Sequence, residues 1–175
     1  MLTDILKNNY FTLFDVPESY DIDLATLQTK LRELQKEFHP DKFANQDSIT
    51  LNQALTASSL INQAYTTLEQ PLQRAIYLLQ LRGIAIDLVH DTKFKPEFLM
   101  QQIELREQIS EAESEQDFDE LEAVEKNLQQ SRSALEQQIG ALFSTQKYTE
   151  INELIKQLSF FVKLEQMVSN ILSQL

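Results

Sequence analysis

From Asp23 onward, Leu24, Leu27, Leu31, Leu34 and Phe38 recur at spacings of 3, 4, 3 and 4, the pattern of a narrow apolar stripe along one amphipathic helix. Asp23 stands where an N-cap belongs. A second stripe runs from about Ser48 to Glu69, with Leu51, Ala54, Ile61, Tyr65 and Leu68 on one face, and Pro71 cannot continue it. Two stripes of similar length joined by about nine residues predict an antiparallel helical hairpin. Ahead of them, Tyr10, Phe11, Leu13 and Phe14 precede Pro17. That segment supplies one or two turns to lie across the hairpin and close its core, which helices of this length need for stability.

The second half of the chain is patterned differently. After Pro96, a favourable first-turn residue, a helix is predicted to about Glu115, and its apolar residues do not share one stripe. Phe98, Leu105, Ile109 and Ala112 fall within roughly 60° of arc and form a core face. Leu99, Met100 and Ile103 fall on the far side, joined there by Glu104, Glu107 and Glu111. A helix buried all round would not place three glutamates on its second face, so the arrangement predicts an exposed apolar patch edged by carboxylates, which suits protein binding. Asp117 and Glu120 have capping-box spacing, and Leu121, Val124, Leu128, Leu135, Ile139 and Leu142 carry the next helix to about Phe143. The last helix, from about Tyr148, uses Ile151, Leu154, Leu158, Phe161, Val168 and Leu172, completing a three-helix bundle. Phe160 lies roughly 140° off that stripe. It is read evenly as a second exposed anchor or as part of a core wide enough to take it, or packed on the other domain.

Only 2 Gly and 4 Pro occur in 175 residues, and long helical periodicities with so few breakers predict an all-α protein. The breakers mark joints. Pro40 interrupts the connection between the hairpin helices, and Gly83 and Pro96 bracket a stretch without helical caps. The expected organisation is a domain over 1–82, a linker over 83–95 and a second domain over 96–175.

Charge narrows the partners. With 15 Lys+Arg against 27 Asp+Glu the net charge is −12, which repels nucleic acid and anionic membranes and leaves proteins as the expected partners. The acidity is local: Glu97 to Glu125 holds 11 acidic residues against one basic residue, Arg106, and the rest of the chain holds 16 against 14. No stretch reaches the ~18 apolar residues of a membrane span, and residues 1–10 lack a basic, then apolar, export signal. The absence of Cys excludes disulfides, thiolate nucleophiles and Cys-ligated zinc or iron–sulfur centres, and suits a reducing cytoplasm, the expected location. His39 and His90 are the only two His, and the chain has no Ser/His/Asp spacing, phosphate-binding Gly loop or zinc helix. Asp117-Phe118-Asp119-Glu120 lacks the glycine and the far glutamate of a calcium loop. No catalytic, cofactor or metal site is expected, and the protein is not expected to be an enzyme.

The hairpin tip reads His39-Pro40-Asp41-Lys42. By itself a His before Pro is simply a residue pushed out of helical geometry. Here it follows an apolar stripe whose opposite side carries Lys36 and Arg32, roughly 160° and 120° from the stripe centre, with Lys30 nearer its edge. Preceded by the Tyr10–Phe14 segment, this combination resembles a J-domain, the module with which J-type co-chaperones engage a seventy-kilodalton heat-shock-type ATPase. The resemblance implies that His39, Pro40 and Asp41 stimulate the partner's ATP hydrolysis, and that Lys36, Arg32 and Lys30 belong to the docking face. A small basic patch on an acidic protein would also steer a negatively charged partner.

Over almost the whole chain the resemblance becomes specific. Asn9-Tyr10-Phe11-Thr12-Leu13-Phe14, His39-Pro40-Asp41-Lys42-Phe43, Ile61 to Leu68, Arg74 to Leu79, Phe98-Leu99-Met100 and Glu104-Leu105-Arg106-Glu107 are similar to the HscB family, the J-type co-chaperones of iron–sulfur cluster assembly. That similarity implies binding of the scaffold IscU through the C-terminal bundle and its delivery to the chaperone HscA through the J-domain. The implied scaffold site comprises Leu99, Met100, Ile103, Glu104, Glu107, Glu111 and Phe160. Some relatives add a pair of Cys-x-x-Cys motifs, which this Cys-free chain lacks. Two other readings stay open: a J-type co-chaperone for a different client, and a plain helical adaptor in which the tip is a mere turn.

Overall fold

A computed structural model of the chain describes residue 5, residues 7–88 and residues 93–174. Part of the expected linker, including His90, and part of the segment before Tyr10 lie outside the described residues. Among the described residues the fold is all helix, and it divides into two compact units, Met1–Ile84 and Ala85–Leu175.

In the first unit, α1 (Tyr10–Leu13) is followed by α2 (Leu24–Glu37), a 3₁₀ turn (Pro40–Phe43), α3 (Ser48–Glu69) and α4 (Pro71–Leu81). Asp23 caps α2 by accepting from the Ala25 amide at 3.0 Å, and Asp47 caps α3 by accepting from the Ile49 and Thr50 amides at 3.0 and 2.9 Å. These hydrogen bonds favour the ionised form. The Thr26 hydroxyl leads in lowering the Asp23 pKa, and the Thr50 amide leads at Asp47. Gln35 donates to Asn62 at 2.9 Å while Arg32 lies near Tyr65, so numbering rises on α2 as it falls on α3 and the hairpin is antiparallel. Phe11, Phe14, Leu27, Ile61 and Leu68 are fully buried in its core, with Phe38 and the alanines 54, 57 and 64 beside them. Leu24, the first residue of the α2 stripe, is exposed, because it sits at the helix start, outside the core.

Pro71 does more than end α3. Gln70 takes an extended conformation, Pro71 occupies the first position of α4, where a missing amide costs nothing, and α4 runs to Leu81 as a helix of its own that the apolar stripes leave unannounced. Arg74, 7% exposed, sends its guanidinium back to the Leu68 and Glu69 carbonyls at 2.6 and 3.4 Å and lies 5.1 Å from the Tyr20 ring centre. It thereby satisfies carbonyls that the end of α3 leaves without helical amides. Tyr77 on α4 stacks on Tyr10 at 4.3 Å, and its hydroxyl accepts from the Tyr10 amide at 3.0 Å, which fixes α1 over the hairpin.

The second unit is a three-helix bundle of α5 (Pro96–Glu115), α6 (Phe118–Ser144) and α7 (Tyr148–Gln174). Its connections are tight for a specific reason. Gln116 and Gln146 adopt left-handed backbone angles (φ 55° and 57°), and the following amides, Asp117 and Lys147, reach back to the Ala112 and Leu142 carbonyls at 2.9 and 3.0 Å. These are Schellman closures built on glutamine, where glycine is the usual residue. Asp15 (φ 51°) and Gly83 (φ 75°) close α1 and α4 in the same way. The expected capping box at Asp117 forms by half: its carboxylate accepts from the Glu120 amide at 3.0 Å. Its own amide is committed to Ala112, and Glu120 accepts from Gln108 instead.

The core of this bundle is wider than the last stripe suggests. From Ile155 to Phe161 nearly every α7 residue is buried, including Lys156 and Ser159, while Leu154 and Leu172 are only half-buried. Lys156, 4% exposed, pairs with Glu153 at 3.2 Å.

Candidate functional site

Two surfaces carry the residues singled out above, one in each unit. At the hairpin tip, the proline after it holds His39 in an extended conformation (φ −60°, ψ 127°). From there the imidazole Nδ1 accepts from the Asp41 amide at 3.3 Å and lies 3.6 Å from the Asp41 carboxylate. The imidazole thus caps the 3₁₀ turn that Pro40 begins, and both His39 and Asp41 remain exposed. Arg32 and Lys36 are exposed on α2, as the helical geometry requires. Lys30 differs: it is half-buried and faces Asp15 and Glu33 at 3.4 and 3.8 Å, so part of its charge is spent within the unit.

On α5 the two-faced pattern is realised in three dimensions. Phe98, Ile109 and Ala112 are buried, Leu105 is half-buried, and Leu99, Met100 and Ile103 are 42%, 57% and 50% exposed with Glu104, Glu107 and Glu111 exposed around them. Large apolar side chains this exposed on consecutive turns of one helix form a patch that water solvates poorly. Phe98 sets the orientation of that face. Its ring meets Phe94, Phe160 and Phe161 at 5.2, 5.4 and 6.0 Å between centroids, an aromatic cluster that pins the start of α5 against α7.

Phe160 requires a correction. It is 7% exposed, edge-on to Phe98 and Phe161, with the Arg106 guanidinium 5.7 Å from its ring centre, so it is not an exposed anchor. Of the two even readings, the structure gives the wider core, because this part of α7 is enclosed almost all round. Its ring instead forms a wall of a cleft beside the patch.

Among the described residues no three His, Cys, Asp or Glu side chains converge as metal ligands, and no helix is long and apolar enough to cross a membrane.

A basic-flanked His-Pro-Asp turn on an antiparallel hairpin, joined in one chain to a three-helix bundle, defines the class of J-type co-chaperones. Comparison with known proteins is specific. The sequence profile described as "HSCB C-terminal oligomerisation domain" matches residues 94–169. The HscB homologue of Neisseria meningitidis serogroup B is 38% identical over 165 residues, covering 94% of this chain and 99% of that protein. The homologue of Cupriavidus taiwanensis is 36% identical over 170 residues, covering 97% of each. Among solved structures, HscB from Vibrio cholerae superposes with a TM-score of 0.87 at 33% identity, over 95% of this chain and 99% of that one. Human HscB superposes with a TM-score of 0.91 at 28% identity, over 97% and 84%. The chain belongs to the HscB family of co-chaperones.

Proposed function

We propose that this protein is a bivalent, non-catalytic adaptor of iron–sulfur cluster assembly in the cytoplasm. Its C-terminal domain (96–175) binds an IscU-like scaffold, and its J-domain (1–82) presents that scaffold to an HscA-like chaperone and stimulates the chaperone's ATPase. Family membership supports the reading. The observation that carries it is the face of α5, where Leu99, Met100 and Ile103 stay exposed within a ring of carboxylates on a helix whose other side is core. His39, Pro40 and Asp41, with Arg32, Lys36 and the partly engaged Lys30, form the chaperone end. Leu99, Met100, Ile103, Glu104, Glu107 and Glu111 form the scaffold end, and Phe160 supports it from beneath. Joining both ends in one chain raises the scaffold's effective concentration at the chaperone without any new contact.

The test is chaperone ATPase turnover with this protein and scaffold, separately and together, combined with calorimetric titration of the scaffold. His39→Gln is expected to abolish stimulation and leave scaffold affinity unchanged; undiminished stimulation by that variant refutes the chaperone end. Replacing Leu99, Met100 and Ile103 together with Ala is expected to weaken scaffold binding by a few kcal/mol, about the effect of losing central anchors. Wild-type affinity in that triple variant refutes the scaffold end.

A further inference from the structure

Between α5 and α7, bordered by Leu88 and Phe94, lies a cleft of about 240 Å³ within the second unit. Its composition runs against its surroundings. Residues 85–175 hold 17 Asp and Glu against 8 Lys and Arg, yet among the described residues no carboxylate lines this cleft, whereas Arg106, Lys156 and Lys163 do, with Gln102 and Ser159. Lys156 is matched by Glu153, which leaves Arg106 and Lys163 to set the sign of the site. The Gln102 amide nitrogen is buried there with no acceptor among the described residues, an unsatisfied donor that an incoming acceptor would relieve. Arg106 lies against the Phe160 ring, and a guanidinium held by its face keeps its in-plane N–H donors free at the edge. Ammonium, guanidinium, amide and hydroxyl donors over an aromatic wall suit a carboxylate.

Position identifies its source. On α5, Arg106 lies roughly 20° around the helix from Leu99 and three residues after Ile103, so the cleft opens beside the apolar patch. Glu104, Glu107 and Glu111 on the outer face select basic groups on whatever docks there. A partner with only basic groups would set like charge against Arg106 and Lys163, which costs binding energy. The unit's overall negative field also disfavours a free small anion relative to one carried in by a protein. We infer that the cleft receives a carboxylate side chain of the protein that docks on the Leu99–Met100–Ile103 face, so that docking reads an acid at Arg106 as well as bases at the glutamates. The inference rests on the docking reading given above.

The experiment titrates purified IscU-type scaffold into the wild-type chain, Arg106→Gln, Lys163→Gln and Met100→Ala at two salt concentrations. It follows the Arg106 Nε–H and Gln102 side-chain amide resonances in the wild-type complex. Arg106 is exposed, so the Gln variant should fold, and circular dichroism checks that it does. Expected are a loss of at least tenfold in affinity for Arg106→Gln, a smaller loss for Lys163→Gln, a shallower salt dependence for both, and downfield movement of the two resonances on binding. If Arg106→Gln binds as wild type while Met100→Ala binds weakly, the carboxylate site is refuted and the docking reading stands. If Arg106→Gln weakens binding but neither resonance moves in the wild-type complex, Arg106 acts only by packing on Phe160 and the inference is again refuted. If wild type does not bind the scaffold, the docking reading fails, and this inference with it.

Discussion

Phe98→Ala tests the link between the core of the second unit and its outward face. The ring is 8% exposed and has three aromatic neighbours within 6.0 Å, two of them on α7. Removing it forfeits the burial of a large apolar side chain and leaves a cavity, a combination that costs about 3–5 kcal/mol in well-packed cores. The lower end applies here. Phe98 lies in the first turn of α5, where the helix end can settle into the gap, so about 3 kcal/mol is expected. For a unit of about 90 residues, a urea slope of about 1 kcal/mol per M turns this into a midpoint about 3 M lower. The methyl resonances of Met100 and Met167 both report on this unit, and following them in urea isolates its transition from that of the hairpin. Phe98→Leu should recover half or more of the loss. A midpoint shift below about 1 M for Phe98→Ala would refute the argument, because the ring would then not be the anchor that holds the patch outward.

Gln116→Gly and Gln146→Gly should each stabilise the second unit by about 0.5–1 kcal/mol, because glycine removes a left-handed backbone cost of about 1–2 kcal/mol and gives back about 0.5–1 in unfolded-chain freedom; urea midpoints that fall would contradict this. Gly83→Ala should destabilise the hairpin unit by about 1 kcal/mol through conformation alone, since an added Cβ meets nothing within 4 Å, and a neutral urea midpoint would count against it. Burial pushes the Glu165 carboxyl above its ordinary value of 4.5, against the pull of Arg132 at 3.1 Å. A carboxyl raised in the fold adds stability that is fully present below pH 4.5 and is lost as pH rises through the raised value, so Glu165→Gln should flatten that part of the Tm–pH curve; an unchanged curve would refute the assignment.

The periodic elements were legible because their physics is local. The stripes of α2, α3, α5 and α6 each record a buried face, and in α5 the expected core residues Phe98, Ile109 and Ala112 are buried and Leu105 half-buried, against exposed Leu99, Met100 and Ile103. What escaped depends on contacts between elements or on the rarer use of a residue. Pro71 reads as a stop, yet the same fixed φ makes it a start for α4. Glycine counting misses three of the four left-handed closures among the described residues, because Asp15, Gln116 and Gln146 serve there. Phe160 lies off the single stripe of α7, and its burial makes sense only with Phe98 of α5 packed against it. Likewise, the cleft under Arg106 has no signature in sequence, since its donors come from two different helices and lie fifty or more positions apart in the chain.

Arg74 has a mechanical consequence. Two carbonyls at the end of α3 terminate on one guanidinium that is itself out of water, so opening the angle between α3 and α4 would strand a cation and its acceptors together. The joint is a locked elbow. The tip with His39 lies at the far end of α3, and the Tyr10–Tyr77 stack lies on the other arm. The three contacts therefore tie the two arms together at the end of the hairpin remote from His39, so α3 and α4 are expected to move as one piece.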